Sequence, residues 1–363
     1  MKAAVVVGAR PNFMKAAPLM REFSGRDGID AFLVHTGQHY DENMSRVFFE
    51  DLDLPRPDIY LGIGSGSHAA QTAGVMVEFE KVVLDEKPDL IIVVGDVNST
   101  LACSLVGAKQ HIPVAHVEAG LRSFDKRMPE EINRMITDIL SDFCFTTSPE
   151  AEINLNREGI GKERIYFVGN IMIDSLKSYM EKSESSGFLA DHGLKKGDYI
   201  LVTLHRPSNV DDPEQFRSLM DVLIRISESQ PVVFPMHPRT RKVMEEAGIN
   251  AEDNSNLRII EPVGYLDFLK GMRYARLVIT DSGGIQEETT ILGVPCLTVR
   301  DNTERPITVE IGTNTLVGTR AEDLYAATLE VLAEGAGEFE NPPLWDGRTA
   351  GRIADVIQEA FAQ

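Results

Sequence analysis

Short apolar runs rich in valine and isoleucine alternate with helix-like segments along almost the whole chain. Each half has six runs, at 2–8, 31–35, 90–95, 113–118, 143–147 and 165–169, and then at 199–204, 231–236, 257–261, 276–280, 295–299 and 315–317. Helical patterns fall near 12–23, 41–52, 68–86, 99–110, 129–140, 149–157, 213–228, 238–247, 265–274, 284–292, 304–311, 321–334 and 349–361. Uniformly apolar runs with helical crossovers are typical of parallel sheets covered on both faces. The pattern predicts an α/β fold of two Rossmann-like domains with a cleft between them.

The polar stretch 181–187 interrupts this alternation and indicates a nearby domain junction. The predicted domains span 1–170 and 171–345. The helix within 346–363 is predicted to pack back on the N-terminal domain.

Charge and cysteine usage narrow the classes of partner. The 363 residues carry a formal net charge of −20, which argues against nucleic acid and anionic membranes. No apolar run approaches the length of a membrane span, and the N-terminal run is too short for a signal peptide. Cys103, Cys144 and Cys296 lie in apolar surroundings without CxxC spacing. We therefore expect a reduced, cytoplasmic protein.

The segment 276–288 combines a β-run, a tight turn and a helix that opens at Gly283. Asp281 or Ser282 can cap that helix, and Gly283 and Gly284 let backbone N–H groups approach a ligand. A helix N-terminus attracts anions, so a diphosphate would fit this turn. An ordinary capped helix explains the same residues equally well.

Seven polar side chains follow apolar runs or lie in the loop after one. In open α/β sheets the carboxyl ends of strands form the ligand crevice, and chance explains one or two such residues more easily than seven. They are Arg10, Asp96, Glu118, His205, His237, Ser282 and Arg305. Arg10 and Lys15 bracket a helix start, where two cations are unfavourable unless an anion binds.

Local structure alone can explain several of these residues. Asp96 precedes a cluster of helix-capping residues, and Glu130 and Arg134 form an i,i+4 pair in the helix that Pro129 starts. Isolated histidines are more often structural than catalytic. No His, Cys and Asp set has metal-ligand spacing, and no G-x-G-x-x-G follows a run. Neither a metal nor a tightly bound NAD is therefore expected.

Seven motifs, in family order, resemble the non-hydrolysing UDP-N-acetylglucosamine 2-epimerases. They are Gly8-Ala9-Arg10-Pro11 with Lys15, Thr36-Gly37-Gln38-His39, Val94-Gly95-Asp96, His116-Val117-Glu118-Ala119-Gly120-Leu121-Arg122, Pro129-Glu130-Glu131-Ile132-Asn133-Arg134, Thr280-Asp281-Ser282-Gly283-Gly284-Ile285-Gln286-Glu287-Glu288 and Thr303-Glu304-Arg305-Pro306. They span nearly the whole chain, so the match is highly specific. The resemblance implies a glycosyltransferase-B-like fold and a cytoplasmic homodimer. It also implies interconversion of UDP-N-acetylglucosamine and UDP-N-acetylmannosamine for surface polysaccharide synthesis.

The resemblance further implies roles for individual residues. The diphosphate would be held by Arg10, Ser282, Gly283, Gly284 and Arg305, the ribose by Glu288, and Phe268 would lie by the uracil. Lys15 and Arg134 would be further basic residues of the cleft. Asp96, Glu118 and Glu130 would be the carboxylates of the reaction, with His205 close by.

Two departures from the family pattern bear on substrate and regulation. Ser208 stands where the family often has glutamate after His-Arg-x. Bacterial relatives bind a second substrate molecule as an activator, in a region matched by Gln38, His39, Gln71, Arg206 and His237. Ala70 stands where those relatives usually have arginine, so these five residues are candidate allosteric residues only.

Carbon 2 of the sugar is not next to a carbonyl, so inversion there needs transient oxidation or elimination. Oxidation would need a bound dinucleotide, and the sequence lacks the fingerprint for one. The expected route is therefore elimination of UDP to give a glycal, followed by re-addition of UDP. Diphosphate-binding groups in both halves predict that the domains close on the substrate. A hydrolysing 2-epimerase, an epimerase of a modified UDP-sugar, a glycosyltransferase of the same fold and a non-catalytic nucleotide-binding module remain alternatives. The carboxylates and Pro-Glu-Glu-x-Asn-Arg favour an epimerase over a transferase.

Overall fold

The computed structural model describes residues 1–37, 56–249, 256–335 and 337–362, except for the side chain of Arg10. The chain forms two compact units. Unit 1 comprises Met1–Lys177 and Pro343–Gln363, and unit 2 comprises Ser178–Pro342. The first division falls inside the helix Ile171–Ser183, a few residues after the predicted boundary at 170.

Unit 1 is built around a parallel sheet with the strand order β3-β2-β1-β4-β5-β6-β7. The strands are β1 (Lys2–Val7), β2 (Asp30–His35), β3 (Ile59–Tyr60), β4 (Leu90–Val94), β5 (Val114–Ala119), β6 (Phe143–Thr146) and β7 (Ile165–Phe167). The helices described between or after them are α1 (Arg10–Ser24), α2 (His68–Glu86), α3 (Asn98–Lys109), α4 (Pro129–Leu140), α5 (Pro149–Arg157) and α6 (Ile171–Ser183), with a 3₁₀ turn at Lys162–Arg164.

The core of unit 1 explains why its strands are apolar without interruption. All five residues of β4 are buried, because helices cover both faces of the sheet. Helix α2 supplies Val75, Phe79 and Val83 at a spacing of four residues, which aligns them on one helix face. These side chains pack with Ile91 and Val93 of β4 in one hydrophobic cluster.

The C-terminal helix α15 (Thr349–Phe361) belongs to unit 1 and packs against α1. Asp174 accepts hydrogen bonds from the first backbone N–H groups of α15, at Thr349 (3.1 Å) and Ala350 (2.9 Å). Arg26, in the loop just after α1, donates to Asp355 Oδ1 at 2.5 Å. The chain therefore returns to unit 1 after it has completed unit 2.

Unit 2 repeats the same architecture with the strand order β10-β9-β8-β11-β12-β13, again parallel. Its strands are β8 (Ile200–Thr203), β9 (Val232–Pro235), β10 (Leu257–Ile260), β11 (Leu277–Thr280), β12 (Cys296–Thr298) and β13 (Asn314–Leu316). The helices are α7 (Phe188–Asp191), α8 (Pro207–Val210), α9 (Pro213–Ser227), α10 (Pro238–Glu246), α11 (Tyr265–Arg273), α12 (Gly283–Leu292), α13 (Ile307–Glu310) and α14 (Ala321–Glu334).

The predicted α/β class with two Rossmann-like domains is confirmed, and each of the twelve predicted runs overlaps a strand. The two-residue strand β3 was not predicted, and the helix expected over 304–311 covers only Ile307–Glu310. The helix predicted near 41–52 lies outside the described residues. None of the helices in the described ranges is long and apolar enough to cross a membrane. In each sheet the strand order reverses once, between β1 and β4 and between β8 and β11, and ligands bind at such points in open α/β sheets.

Candidate active site

In unit 1 the ends of β4 and β5 meet the first helix around Gly95. Gly95 has a φ of +68°, and a Cβ atom there would lie 3.0 Å from Lys15 Nζ and 3.4 Å from Glu118 Oε2. Lys15 donates to Glu118 Oε2, and both residues are almost completely buried. Two charges removed from water are tolerated only as a pair, and a side chain at position 95 would crowd this pair.

The backbone at Glu118 is strained. Glu118 has a φ of +73°, and the register between β5 and β6 shifts between Val117 and Ala119. A bulge re-aims a side chain, and a left-handed backbone costs roughly 1–2 kcal/mol at a residue other than glycine. Such strain is concentrated at functional sites. This geometry supports the prediction that Glu118 acts in the site.

Asp96 is held by residues from helix α4. Arg134 Nη1 donates to Asp96 Oδ2 at 2.6 Å, and Asn133 Nδ2 donates to the Asp96 carbonyl at 2.8 Å. Arg134 is buried, whereas about a third of the Asp96 side chain (32%) is exposed. Asp96 therefore keeps an accessible carboxylate while its position is fixed by a buried cation.

The two adjacent glutamates of α4 have different surroundings. Glu130, the predicted reacting carboxylate, is exposed, and Glu131 is buried. Glu131 accepts from Arg134 Nη2 (2.7 Å) and from the backbone N–H groups of Ser123 and Phe124 (2.9 Å each). Burial alone would raise the pKa of Glu131, but these donors outweigh it and lower the pKa. The structure thus joins Glu131, not Glu130, to Arg134, and sequence reasoning missed this residue.

Asn12 is a second residue that sequence reasoning missed. Its Oδ1 accepts from the backbone N–H groups of Gly8 (3.2 Å) and Ala9 (2.9 Å), and its Nδ2 donates to the Val94 carbonyl (3.1 Å). Asn12 therefore joins the start of α1 to the end of β4. Arg10 is the first residue of α1, and its side chain lies outside the described part of the structure.

In unit 2 Asp281 orients His205. The buried Asp281 carboxylate accepts from the backbone N–H groups of His205 (3.0 Å) and Arg206 (2.9 Å) and from Asn209 Nδ2 (3.1 Å). His205 Nδ1 lies 3.0 Å from Asp281 Oδ1, and 57% of the His205 side chain is exposed. Burial would raise the pKa of Asp281, but the bond from His205 and the other donors lower it overall. The arrangement holds Nδ1 inward, which presents the opposite edge of the ring to solvent.

The N-terminus of α12 lies beside Arg305. A Cβ atom on Gly283 would lie 2.5 Å from Arg305 Nη1, so only glycine leaves room for the guanidinium. Arg305 Nε donates to Glu287 Oε1 at 2.6 Å, and its Nη1 lies 3.4 Å from Glu304 Oε2. Ser282 occupies the N-cap position, but its side chain makes no capping hydrogen bond, and Asp281 instead holds the β8 loop. A cation thus lies next to a helix N-terminus, a favourable pair for an anion.

Further charged groups surround Glu304. Arg300 donates to both Glu304 oxygens, at 3.0 and 2.9 Å, and Arg206 Nη2 lies 3.9 Å from Glu304 Oε1. Arg206 Nε also donates to the Asp281 carbonyl at 2.9 Å. Three arginines therefore converge on this part of unit 2, although the sequence drew attention to Arg206 and Arg305 only.

Glu288 and Phe268, predicted to contact the nucleoside, lie on α12 and α11. Glu288 is buried, accepts from Tyr265 Oη at 2.7 Å, and has its pKa raised to about 7 mainly by burial. Phe268 is half-buried. At neutral pH the Glu288 carboxyl is therefore partly protonated and can donate a hydrogen bond as well as accept one.

The candidate allosteric residues are divided between the two units. Gln71 is buried in unit 1 and accepts from Asn98 Nδ2 at 2.9 Å. His237 is the N-cap of α10 in unit 2 and accepts from the backbone N–H of Arg239 at 3.2 Å. Gln38 and His39 lie outside the described residues. Within the described ranges no group of three or more His, Cys, Asp or Glu side chains is placed to hold a metal.

Comparisons with known proteins agree on one family. The model of the family described as UDP-N-acetylglucosamine 2-epimerase matches residues 21–358. The chain is 44% identical to the UDP-N-acetylglucosamine 2-epimerase of Methanocaldococcus jannaschii over 98% of this chain and 99% of that protein. It is 41% identical to the UDP-2,3-diacetamido-2,3-dideoxy-D-glucuronate 2-epimerase of Pseudomonas aeruginosa over 98% and 99% of the two chains. The crystal structure of the M. jannaschii enzyme with UDP-GlcNAc and UDP superposes with a TM-score of 0.90, at 44% identity, covering 99% of this chain and 100% of that one.

Proposed function

The chain belongs to the UDP-N-acetylglucosamine 2-epimerase family, and on that premise we propose that it interconverts UDP-N-acetylglucosamine and UDP-N-acetylmannosamine. The observation that carries this proposal is the Arg305 guanidinium against Gly283 at the start of α12. A related enzyme with the same fold was crystallised with UDP-GlcNAc and UDP, and this turn has the charge and the backbone donors that a diphosphate needs.

In this proposal unit 2 binds the UDP moiety. The N–H groups that follow Ser282, at Gly283 and Gly284, and the guanidinium of Arg305 hold the diphosphate, and Arg10 adds a further cation. Glu288 binds the ribose, where its raised pKa lets it donate to one hydroxyl and accept from another. Phe268 packs against the uracil. The carboxylates Glu287 and Glu304 hold Arg305 in place before the ligand arrives, which reduces the cost of ordering it on binding.

The reaction proceeds by elimination and re-addition. The bond between carbon 1 and the UDP oxygen breaks as a base removes the proton from carbon 2, which leaves a glycal and UDP. UDP then adds back to carbon 1 while a proton is delivered to the opposite face of carbon 2. Cations and helix N–H groups stabilise the negative charge on departing UDP, and carboxyl groups transfer the protons.

Glu118 and Asp96 are the proposed proton-transfer groups. The His205 ring, through its solvent-facing edge, is a third. Glu118 is paired with Lys15 and sits on a strained backbone, and Asp96 is accessible and held by Arg134. Glu130 was also predicted for this role; it is exposed at the start of α4 and stays a proposed member of this set. We assign to Glu131 the task of holding Arg134, because its oxygens accept from four donors and its pKa is lowered.

A second candidate substrate is a UDP-linked diacetamido uronic acid. The P. aeruginosa relative that acts on such a sugar is 41% identical over nearly the full length of both chains. The chemistry at carbon 2 is the same for both sugars. The proposed residues therefore serve both candidate substrates, which differ only in the groups at carbons 3 and 6 of the sugar.

Exchange at carbon 2 tests the proposal directly. The protein is incubated in D₂O with UDP-N-acetylglucosamine and, separately, with the diacetamido glucuronate nucleotide, and proton NMR follows both epimers. Deuterium at carbon 2 of both epimers of one substrate supports the proposal and identifies the sugar. Release of free sugar would instead identify a hydrolysing enzyme. Absence of exchange with both nucleotides would refute the 2-epimerase assignment.

We also propose that the chain forms a homodimer, as the family resemblance implies, and supplies precursors for surface polysaccharides. Helix α4 exposes Ile132, Ile136 and Ile139, which recur every three or four residues, and α2 exposes Val77 and Leu84. A cavity of about 540 Å³ lies among α2, α3 and α4 and is lined mostly by apolar side chains. An apolar stripe of this kind on one helix is suited to a second copy of the same surface.

A further inference from the structure

A buried histidine lies two residues before Glu118 on β5. His116 is completely buried, and both of its ring nitrogens make short hydrogen bonds. Nδ1 lies 2.6 Å from Asp138 Oδ1, and Nε2 lies 2.8 Å from the Gly95 carbonyl oxygen. His116 therefore joins the residue before Asp96 to a side chain of helix α4.

The hydrogen-bonding partners of His116 fix the orientation of its ring. A carbonyl oxygen only accepts, so Nε2 must carry a proton to bond to Gly95. Asp138 Oδ2 already accepts from the Gly120 N–H (3.1 Å) and Arg122 Nη2 (2.7 Å), which favours an ionised carboxylate. Burial raises the pKa of Asp138, but His116 and Arg122 outweigh it and the pKa is lowered. Nε2 therefore holds the Gly95 carbonyl, and Nδ1 faces the Asp138 carboxylate.

Arg122 extends this cluster from Asp138 to a second carboxylate. Arg122 donates to Asp138 and, through Nε (2.8 Å) and Nη2 (2.6 Å), to Glu158. His116, Arg122 and the two carboxylates thus form one chain of hydrogen bonds, in which the buried charges of Arg122 and Asp138 are paired with each other. Unpaired buried charges are strongly unfavourable, so the cluster holds its geometry as a unit.

The same chain of bonds reaches the backbone on both sides of Glu118. His116 precedes Glu118 by two residues, and Asp138 holds the N–H of Gly120, two residues after it. Gly120 has a φ of +80° and lies so close to Ala151 that a Cβ atom would be 2.5 Å from its carbonyl oxygen. The backbone bulge at Glu118 is therefore held in place two residues before it, by His116, and two residues after it, by Gly120.

We propose that His116 and Asp138 are positioning residues that set the placement of Glu118 and Asp96 for proton transfer at carbon 2. The inference rests on the proposed function. It requires the His116 ring to fix the Gly95 carbonyl and Asp138 to fix Gly120, so that neither carboxylate shifts when the substrate binds. A displacement of about 1 Å at a reacting group lowers the rate roughly 100-fold, so loss of this clamp acts on turnover rather than on nucleotide affinity.

The test compares His116→Leu, His116→Gln and Asp138→Asn with the wild-type protein. We expect kcat for epimerisation and the rate of carbon-2 deuterium exchange to fall about 100-fold in His116→Leu. His116→Gln retains a donor for the Gly95 carbonyl and should recover part of that loss. KM and the Kd for UDP should stay within about threefold, because the proposed nucleotide-binding groups of unit 2 are unchanged. His111→Gln, at an exposed position in the loop before β5, is the matched control and should behave as wild type.

Unchanged kcat in His116→Leu, or an equal loss of kcat and UDP affinity, would overturn the proposal. If the variants do not fold, the wild-type protein with ¹⁵N-labelled histidine decides it. A histidine ring N–H that is protected from exchange with solvent supports the His116 clamp, and the absence of any protected histidine ring N–H refutes it. Wild-type protein without carbon-2 exchange would refute the proposed function, while this NMR result would still report on the clamp.

Discussion

Gly283→Ala places a methyl group where the Arg305 guanidinium now lies. The added Cβ would be 2.5 Å from Arg305 Nη1 and 3.0 Å from its Cζ. These separations are about 1 Å shorter than ordinary van der Waals contact, so the guanidinium must move away from the N-terminus of α12. The movement also disturbs the 2.6 Å bond from Arg305 Nε to Glu287. The helix itself should tolerate alanine, which has the higher helix propensity.

The size of the effect follows from the bond that is lost. A hydrogen bond to a charged group contributes about 1.5–3 kcal/mol. Loss of one such bond between Arg305 and the diphosphate should raise the Kd for UDP by roughly 10- to 150-fold. Isothermal titration calorimetry with UDP measures this change, and circular dichroism verifies that the variant is folded.

A double-mutant cycle with Arg305→Ala isolates the cause. Once the guanidinium is absent, the methyl group at position 283 has nothing to displace. Gly283→Ala should therefore have almost no further effect on UDP binding in the Arg305→Ala background. If the two substitutions weaken UDP binding additively, the methyl group obstructs the ligand or the backbone directly, and the reasoning about Arg305 is refuted.

Three further predictions concern the carboxylates and the apolar stripe. The folded-state pKa of Asp281 lies below its unfolded value of about 3.9, so its stabilisation is complete above that pH and is lost as pH falls through the folded pKa. Asp281→Asn should lower the free energy of unfolding by about 2 kcal/mol at neutral pH. In urea denaturation the difference in this free energy between wild type and variant should narrow below about pH 4. A difference that stays constant with pH would contradict this. Glu118→Gln should reduce deuterium exchange at carbon 2 at least 100-fold. It should also destabilise the fold by about 3 kcal/mol, because the buried Lys15 loses its anionic partner. Near-normal exchange would show that Glu118 takes no part in the reaction. Ile136→Glu should convert a dimer to a monomer in analytical ultracentrifugation, whereas Ile153→Glu, at an exposed isoleucine of α5, should not. If the two variants have the same oligomeric state, the α4 stripe is excluded as the interface.

The strands and the places where they end were predictable because burial on both faces leaves a continuous apolar signal. The residues that follow those ends, such as Asp96, Glu118 and His205, could be selected for the same reason. The family assignment followed from motifs spread over the chain and is confirmed by the family model and the full-length relatives. The two-residue strand β3 carries too few side chains to produce such a signal.

Which of Glu130 and Glu131 is buried could not be predicted from the sequence. Both follow Pro129 in the first turn of α4, and both have the composition of an ordinary helix start. Their side chains point to different sides of the helix, because they are one residue apart. Backbone N–H groups of Ser123 and Phe124 in the neighbouring loop bond to Glu131, which is the buried one. That loop has no periodic pattern, so its backbone donors become apparent only in three dimensions.

The role of Asp281 was hidden for a related reason. A short polar residue before a helix suggests a cap, which is a local interaction. Its actual partners, His205 and Arg206, are more than seventy positions away in sequence and are adjacent only because β8 and β11 pair in the sheet. A single sequence contains no signal for such a pairing.

The interruption of unit 1 by unit 2 affects the order of folding during synthesis. Helix α15 fills a place on α1, and its first N–H groups are held by Asp174, yet it is translated only after all of unit 2. Unit 2 is contiguous and can complete its core on the ribosome, while the surface of α1 that receives α15 stays uncovered. A nascent chain stalled before residue 343 should therefore be more vulnerable to proteases in unit 1 than in unit 2.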